Sequence, residues 1–154
     1  MNEKLKEIPR YVVDASILLK PALQEPGVLT EKAKMLLFLK ENYKICLFAP
    51  DIFRYEFFNT LVRKRGEVHA RIAYKELSAR QLCLFPLEDY YWETAQNLMD
   101  KYPGISFYDA SYHALAKAYG IPYITADKKY YQMTEKEGNI KLLQKIEIKT
   151  ISSK

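Results

Sequence analysis

The sequence predicts an α/β fold in which helices cover both faces of a central, mostly parallel sheet of four to five strands. Short apolar runs such as YVV, ICLFA and IPYIT are typical of strands that are buried on both faces. Longer segments between these runs carry apolar residues at helical spacing. Because strands and helices alternate along the whole chain, we expect a doubly wound sandwich.

The predicted elements follow from the apolar runs and from the residues that begin or end them. The strands are expected at residues 11–14, 45–49, 82–86 and 121–125, and residues 140–148 contain a possible fifth. The helices are expected at residues 30–43, 51–65, 67–80, 88–101 and 106–119, with a further one from about 128. Thr30 and Asp51 are the expected caps of the first two helices. Gly66 and Gly120 are expected to end helices.

Length and composition indicate one globular domain. The 154 residues are 49% hydrophobic and 28% charged, so we expect a single domain over 1–154, with its core at about 10–149 and loose termini. No apolar run approaches the length of a membrane span, and the charged N-terminus does not resemble a signal peptide. These features predict a cytoplasmic protein, in which Cys46 and Cys83 are expected to be buried, reduced thiols because each lies in an apolar run.

Two acids directly follow predicted strands. Asp14 ends the run YVVD, and Asp127 ends the run YITAD. Each has an alternative role as the cap of the helix that follows it. The carboxyl ends of parallel strands meet at one edge of a doubly wound sheet, and ligands bind at that edge. Asp14 and Asp127 are therefore expected to face one cleft.

Two further acids lie on predicted helices. Glu56 forms a polar stripe with Asn59 and Arg63 on a helix rich in phenylalanine. Glu56 is thus either a solvated residue or a buried one that needs a partner. Asp109 lies three residues after Ser106, which is the spacing of a capping box. From the first turn of its helix, the Asp109 carboxylate can also reach the cleft.

A cluster of these four acids predicts a divalent metal site. Carboxylates that converge in a protected cleft repel one another and raise one another's pKa. A divalent cation relieves that repulsion, and ligands that are all oxygen favour Mg²⁺ or Mn²⁺ over zinc. Such an ion activates water and offsets charge on a phosphoryl group, which is the chemistry of phosphodiester hydrolysis. The formal net charge of +5 suits a protein that attracts a polyanion.

Four segments of the chain carry these acids in a recognisable order. YVVDASILLK is a strand that ends in an aspartate, and YEFFNTLV places an asparagine three residues after a glutamate. YDASYHALA carries the third acid, and YITADKKYY is a strand that ends in T-A-D. Together these motifs, over about residues 11–131, resemble those of the PIN-domain ribonucleases, and particularly the VapC-like toxins of prokaryotic toxin–antitoxin pairs.

The resemblance implies a PIN-like three-layer sandwich and an Mg²⁺- or Mn²⁺-dependent endoribonuclease that hydrolyses RNA. The catalytic and metal-binding residues that it implies are Asp14, Glu56, Asp109 and Asp127. The supporting residues that it implies are Ser16, Asn59 and Thr125. The resemblance also implies a homodimer and a cognate antitoxin as a partner.

The sequence departs from the family pattern in two places. Lys128 and Lys129 follow T-A-D where some members carry another acid. His113 replaces a residue that is usually apolar, and we expect it either to serve packing or to lie on the surface. Among the basic residues, Lys20, Arg63 and Lys128 are expected to contact substrate phosphates.

Two other functional classes were weighed against a nuclease. A PIN-like protein that binds RNA or a partner protein without cutting is the alternative, although all four acids are present. A phosphoacceptor switch domain is disfavoured, because the first strand ends in a single acid, Asp14. The runs ICLFAP and LCLFPL also end without an acceptor in place.

Overall fold

Five parallel strands form the centre of the protein, which is seen in a computed structural model that describes residues 7–147. The strands are β1 (Arg10–Val13), β2 (Cys46–Pro50), β3 (Cys83–Phe85), β4 (Tyr123–Thr125) and β5 (Ile140–Leu142). Their order across the sheet is β3-β2-β1-β4-β5, and every neighbouring pair is parallel. The predicted α/β class and the predicted number of strands are confirmed.

Within residues 7–147, seven helices connect and cover the strands. They are α1 (Ala15–Ala22), α2 (Val28–Glu41), α3 (Ile52–Arg65), α4 (Glu67–Ala79), α5 (Asp89–Lys101), α6 (Phe107–Tyr119) and α7 (Lys128–Thr134). Crossovers between parallel strands are right-handed, so the helices between β1 and β3 lie on one face of the sheet and α5 and α6 lie on the other. Within residues 7–147, no helix is long and apolar enough to cross a membrane.

The strand order reverses between β1 and β4, and this reversal creates a crevice. The chain runs outward from β1 to β2 and β3 and then returns to place β4 on the other side of β1. Val12 pairs with Tyr123 and Val13 with Ile124, so β1 and β4 end almost level. In open α/β sheets, ligands bind at the carboxyl ends of the strands at such a reversal. The fold therefore places the residues after β1 and β4 side by side.

Helix α6 packs most closely on the sheet. Every residue from Ala110 to Ala116 is buried, and the helix contacts β1, β2 and β4. The small side chains of Ala110 and Ala114 allow this close approach. Helix α6 ends at Gly120, whose φ of 63° lies in the left-handed region that glycine adopts without strain. The start of α6 is thereby fixed above the ends of the central strands.

Two predicted helix caps are wrong. Helix α2 begins at Val28, because Gly27 with φ of 118° precedes it, and Thr30 lies buried inside the first turn. Asp51 stands before α3, but its backbone is already helical and its side chain caps no N–H group. The Asp51 N–H instead donates to the carbonyl of Phe85, which ties the end of β2 to β3.

Three other expectations need correction. Helix α1 was not predicted, because its eight residues end close to Pro21 and give a short pattern. The possible fifth strand within 140–148 is present as β5, but it is limited to three residues because a 3-10 turn at Leu143–Lys145 follows it, and Ile148 lies outside the described residues. Cys83 is exposed and Cys46 is partly exposed, because Cys83 lies on the edge strand β3 and Cys46 begins β2. The termini expected to be loose, 1–6 and 150–154, also lie outside that range.

The Lys32→Met variant is expected to lose about 2 kcal/mol of folding free energy, because charged hydrogen bonds to partly buried carbonyls are lost. The Lys32 ammonium on α2 donates to the carbonyls of Leu143 and Gln144, at 3.2 and 2.9 Å, and so holds the turn after β5. Urea unfolding measures the loss. Lys34→Met on the same helix removes only an exposed ion pair with Glu31 and should change the free energy of unfolding little. Equal losses of stability in the two variants would contradict the role assigned to the Lys32 hydrogen bonds.

Candidate active site

Asp14 lies at the end of β1, where it caps α1 and faces the crevice. Its backbone is extended, with φ of −69° and ψ of 142°, and its Oδ1 accepts from the Ser16 N–H at 3.1 Å. Its Oδ2 accepts from the Tyr123 hydroxyl at 3.0 Å. Only 4% of Asp14 is exposed, and this burial raises its pKa, with the charge of Asp127 adding to the effect. Asp14 is thus a helix cap and a buried acid at once.

Asp109 lies in the first turn of α6, as its spacing from Ser106 predicts. The Asp109 N–H donates to Ser106 Oγ at 3.1 Å, and this hydroxyl donates to Asp109 Oδ2, also at 3.1 Å. The other carboxylate oxygen, Oδ1, lies 3.5 Å from the Tyr123 hydroxyl. Burial, followed by the charge of Asp14, raises the pKa of Asp109 to about 6. A single tyrosine hydroxyl therefore contacts acids from two different elements, Asp14 and Asp109.

Glu56 extends from α3 towards the same acids. It is partly buried, and its Oε2 accepts from the Tyr112 hydroxyl at 3.1 Å. Burial raises its pKa to about 7, and the charges of Asp14 and Asp109 contribute. The polar stripe predicted for α3 is therefore not uniformly solvated, since Glu56 has a buried partner whereas Asn59 and Arg63 are exposed.

Asp127 follows β4 and is the most exposed of the four acids. Its Oδ1 accepts from the Tyr130 N–H at 3.0 Å, so the predicted cap of α7 is present. Its own N–H donates to Thr125 Oγ1 at 3.1 Å, and Thr125 is fully buried. The charge of Asp127 raises the pKa of both Asp14 and Asp109. Asp127 therefore borders the same crevice from the β4 side.

The acids form an electrostatic cluster without a basic partner. Across residues 7–147, none of the four makes an ion pair with lysine, arginine or histidine. In the same range, no group of three or more acidic, histidine or cysteine side chains is arranged so that it could hold one ion. Mg²⁺ keeps several waters and takes one or two protein carboxylates, so an open set of oxygen ligands suits it. The donors fit Mg²⁺ or Mn²⁺ and do not fit a structural zinc site.

The expected supporting and substrate-binding residues differ in their surroundings. Ser16 contacts Asp14 through its backbone N–H. Asn59 lines a groove of about 620 Å³ beside α3 and makes no hydrogen bond to the acids within the described part of the chain. Lys20 pairs with Glu25 at 3.6 Å, whereas Arg63 and Lys128 are exposed. Of these three residues, Arg63 and Lys128 are therefore the more accessible to phosphate from solvent.

His113 serves packing, which is one of the two roles expected for it. It is fully buried, and its Nε2 donates to the carbonyl of Gly138 at 2.8 Å. A carbonyl can only accept, so Nδ1 is the nitrogen that accepts from the Tyr130 hydroxyl at 2.9 Å. Burial lowers the pKa of His113, which keeps the ring neutral. This histidine contacts none of the four acids.

Tyr112 and Tyr123 belong to the site although sequence reasoning did not single them out. Both are fully buried, and their hydroxyls contact Glu56, Asp14 and Asp109. Burial and the nearby acids raise the pKa of both tyrosines well above the ordinary value, so the hydroxyls stay protonated and donate. The available signal was a tyrosine in each motif, one turn after Asp109 and two residues before Thr125.

Comparison with known proteins agrees with this architecture. VapC20 of Mycobacterium tuberculosis, a sarcin-ricin loop cleaving toxin, is 17% identical with a TM-score of 0.63, covering 81% of this chain and 97% of that one. VapBC2 of Rickettsia felis, bound to a promoter DNA fragment, is 17% identical with a TM-score of 0.62, and the match covers 86% of this chain and 96% of that one. FitAcB of Neisseria gonorrhoeae is 12% identical with a TM-score of 0.64, and the match covers 88% of this chain and 99% of that one. At these identities the likeness shows a shared fold.

The sequence comparisons supply the family. A search of curated proteins found no match to this chain. The PIN domain family, in contrast, matches residues 11–136, a span that contains all four acids, the strands β2 to β4 and all of β1 except Arg10. Because that match extends over most of the sequence, the chain belongs to the PIN domain family.

Proposed function

We propose that this protein is a metal-dependent endoribonuclease and the toxin of a toxin–antitoxin pair. One observation carries the proposal. Asp14, Glu56 and Asp109 come from three separate parts of the fold and have no basic partner within residues 7–147. The charge of Asp14 raises the pKa of both Glu56 and Asp109, and the charge of Asp109 adds to the shift of Glu56. Buried acids without a cationic partner are costly to the fold. Membership of the PIN domain family supports a function that uses this arrangement.

The acidic cluster would hold Mg²⁺ or Mn²⁺. Asp14, Glu56, Asp109 and Asp127 are the residues that would bind it. When bound, the ion supplies an activated water and offsets negative charge on the attacked phosphate. The chain's own contribution is to hold the carboxylates in fixed positions and to release the protons that the raised pKa values of Glu56 and Asp109 retain near neutral pH.

RNA is the proposed substrate. Arg63 and Lys128 are exposed and have no ion-pair partner within residues 7–147, so they are available to phosphate. The net charge of +5 favours a polyanion. Among proteins with the same fold, VapC20 is described as cleaving the sarcin-ricin loop. We extend that activity class, though not that target, to this chain.

A cognate antitoxin is the proposed partner. A protein of the same fold from Klebsiella pneumoniae is described as a toxin–antitoxin complex, and VapBC2 of Rickettsia felis was solved on promoter DNA. A partner that blocks the acidic crevice would restrain the nuclease until it is removed. We also propose a homodimer and a cytoplasmic location, on the basis of the sequence resemblance.

Metal-dependent cleavage by the purified, partner-free protein tests the proposal. A mixture of structured and single-stranded RNAs is incubated with Mn²⁺, with Mg²⁺ or with a chelator. We expect cleavage with either metal and at least about a hundredfold less with the chelator, because the ion supplies the nucleophile. Absence of cleavage of every RNA with both metals would contradict the proposal, and RNA binding without cleavage would support the non-catalytic alternative.

A further inference from the structure

Two tyrosine hydroxyls lie directly beneath the acidic cluster. Tyr123 on β4 donates to Asp14 Oδ2 at 3.0 Å and lies 3.5 Å from Asp109 Oδ1. Tyr112 on α6 donates to Glu56 Oε2 at 3.1 Å. Neither tyrosine is exposed to solvent. Two side chains thus reach three of the four acids from the protein interior.

The rings of these tyrosines are held rigidly. Tyr112 and Tyr123 stack with their ring centres 5.8 Å apart and their planes 11° from parallel. The rings of His113 and Tyr130 also lie near the Tyr123 ring, with centres 5.9 and 6.0 Å away. Pairing of Val12 with Tyr123 fixes β4 against β1, the strand that Asp14 directly follows. The hydroxyls therefore have little freedom to move away from the carboxylates.

A neutral donor has a specific advantage at this place. An acid can be oriented by an arginine or lysine, but the positive charge would neutralise the acid and repel an incoming cation. A tyrosine hydroxyl orients the carboxylate while leaving its negative charge in place. The donors found on Asp14, Glu56 and Asp109 are all neutral: hydroxyls and backbone N–H groups. These donors thereby fix the orientation of the carboxylates without neutralising their negative charge.

We propose that Tyr123 and Tyr112 are positioning residues that fix the carboxylates of Asp14 and Glu56 and so set the affinity of the site for a divalent cation. The inference rests on the proposed function, because it assumes that the acids bind a metal. Partners that orient metal ligands change metal affinity by about 10- to 100-fold when they are removed. The two hydroxyls act through the acids and do not themselves bind the ion.

Calorimetric titration with Mn²⁺ in the absence of RNA tests the proposal. Tyr123→Phe and Tyr112→Phe each remove one hydroxyl and keep the ring. We expect Mn²⁺ to bind about 10- to 100-fold more weakly to Tyr123→Phe than to the wild type, because the Tyr123 hydroxyl contacts two acids. Tyr112→Phe should also bind Mn²⁺ more weakly than the wild type, but by a smaller factor. Cleavage by both variants should require more Mn²⁺ for half-maximal rate and should recover when Mn²⁺ is raised.

Tyr130→Phe is the matched control. Tyr130 is buried in the same group of rings, but its hydroxyl bonds His113 and no acid. This variant should lower the thermal midpoint and leave Mn²⁺ affinity within about twofold of the wild type. Equal weakening of Mn²⁺ binding in all three variants would show a general packing effect and overturn the proposal.

The remaining outcomes separate this inference from the proposed function. If the wild type binds Mn²⁺ and Asp14→Asn does not, while both tyrosine variants bind it like the wild type, the positioning role is wrong and the metal site stands. If the wild type binds no Mn²⁺, the proposed function and this inference both fail. Should Tyr123→Phe not fold, Tyr112→Phe decides the question alone.

Discussion

RNA cleavage by the Asp14→Asn variant is expected to fall by at least about a thousandfold, because a buried group at the centre of the reaction loses its charge. Asp14 is the most buried of the four acids and contacts the same hydroxyl as Asp109. An asparagine has the same shape, can still accept from the Ser16 N–H, and can donate to the Tyr123 oxygen. The fold should therefore survive. Initial cleavage rates with Mn²⁺, read beside thermal unfolding, measure both effects.

Asp51→Asn is the matched control for this prediction. Asp51 follows β2, the strand next to β1, and its side chain caps no helix. The same chemical change at this neighbouring strand end should leave cleavage within about twofold of the wild type. Retention of a tenth or more of wild-type activity in Asp14→Asn would contradict the central role assigned to this acid.

Glu56→Gln is expected to stabilise the metal-free protein at pH 8 while lowering cleavage by at least about a hundredfold. Burial and the neighbouring acids raise the pKa of Glu56 from 4.5 to about 7. Between pH 4.5 and about 7, the folded protein holds a proton that the unfolded chain has released. The contribution of Glu56 to the free energy of unfolding therefore falls as the pH rises through this range. Because Glu56 is only partly shielded from solvent, we expect a gain of about 1 to 2 kcal/mol at pH 8 and much less at pH 5.

Urea unfolding with a chelator, at pH 5 and pH 8, measures the effect. His113 has a lowered pKa and acts in the opposite direction, but comparison of variant and wild type at each pH cancels its contribution. Glu76→Gln on α4 changes an exposed acid outside the cluster and should show no such pH dependence. A Glu56→Gln protein that is less stable than the wild type at pH 8 would contradict the predicted repulsion within the cluster.

The fold class could be predicted from the sequence because buried parallel strands leave continuous apolar runs. YVV and YIT lie where the structure places β1 and β4, and the acids that follow them lie at one edge of the sheet. Helix α1 could not be predicted with the same ease, since its eight residues contain Pro21 and directly follow a strand. Short elements owe their structure to packing in the tertiary fold, which a local pattern does not contain.

The site could be predicted only in outline. The side chains of Asp14 and Asp127 cap helices, Asp109 contacts the cap residue Ser106, and all three acids lie at the crevice, so the two interpretations are not exclusive. The environment of Glu56 depends on Tyr112, which is 56 residues away along the chain. Contacts of this kind are set by how α3 and α6 approach the sheet, and spacing within one helix cannot reveal them.

A crystal structure of the protein with Mn²⁺, recorded at the manganese absorption edge, would show whether the acids at the ends of β1 and β4, with those on α3 and α6, form one divalent metal site. We predict an anomalous difference peak bound directly or through water by Asp14 and Asp109, which Asp14→Asn abolishes. A protein that cleaves RNA with Mn²⁺ but shows no peak in this crevice, or a peak elsewhere, would contradict the account.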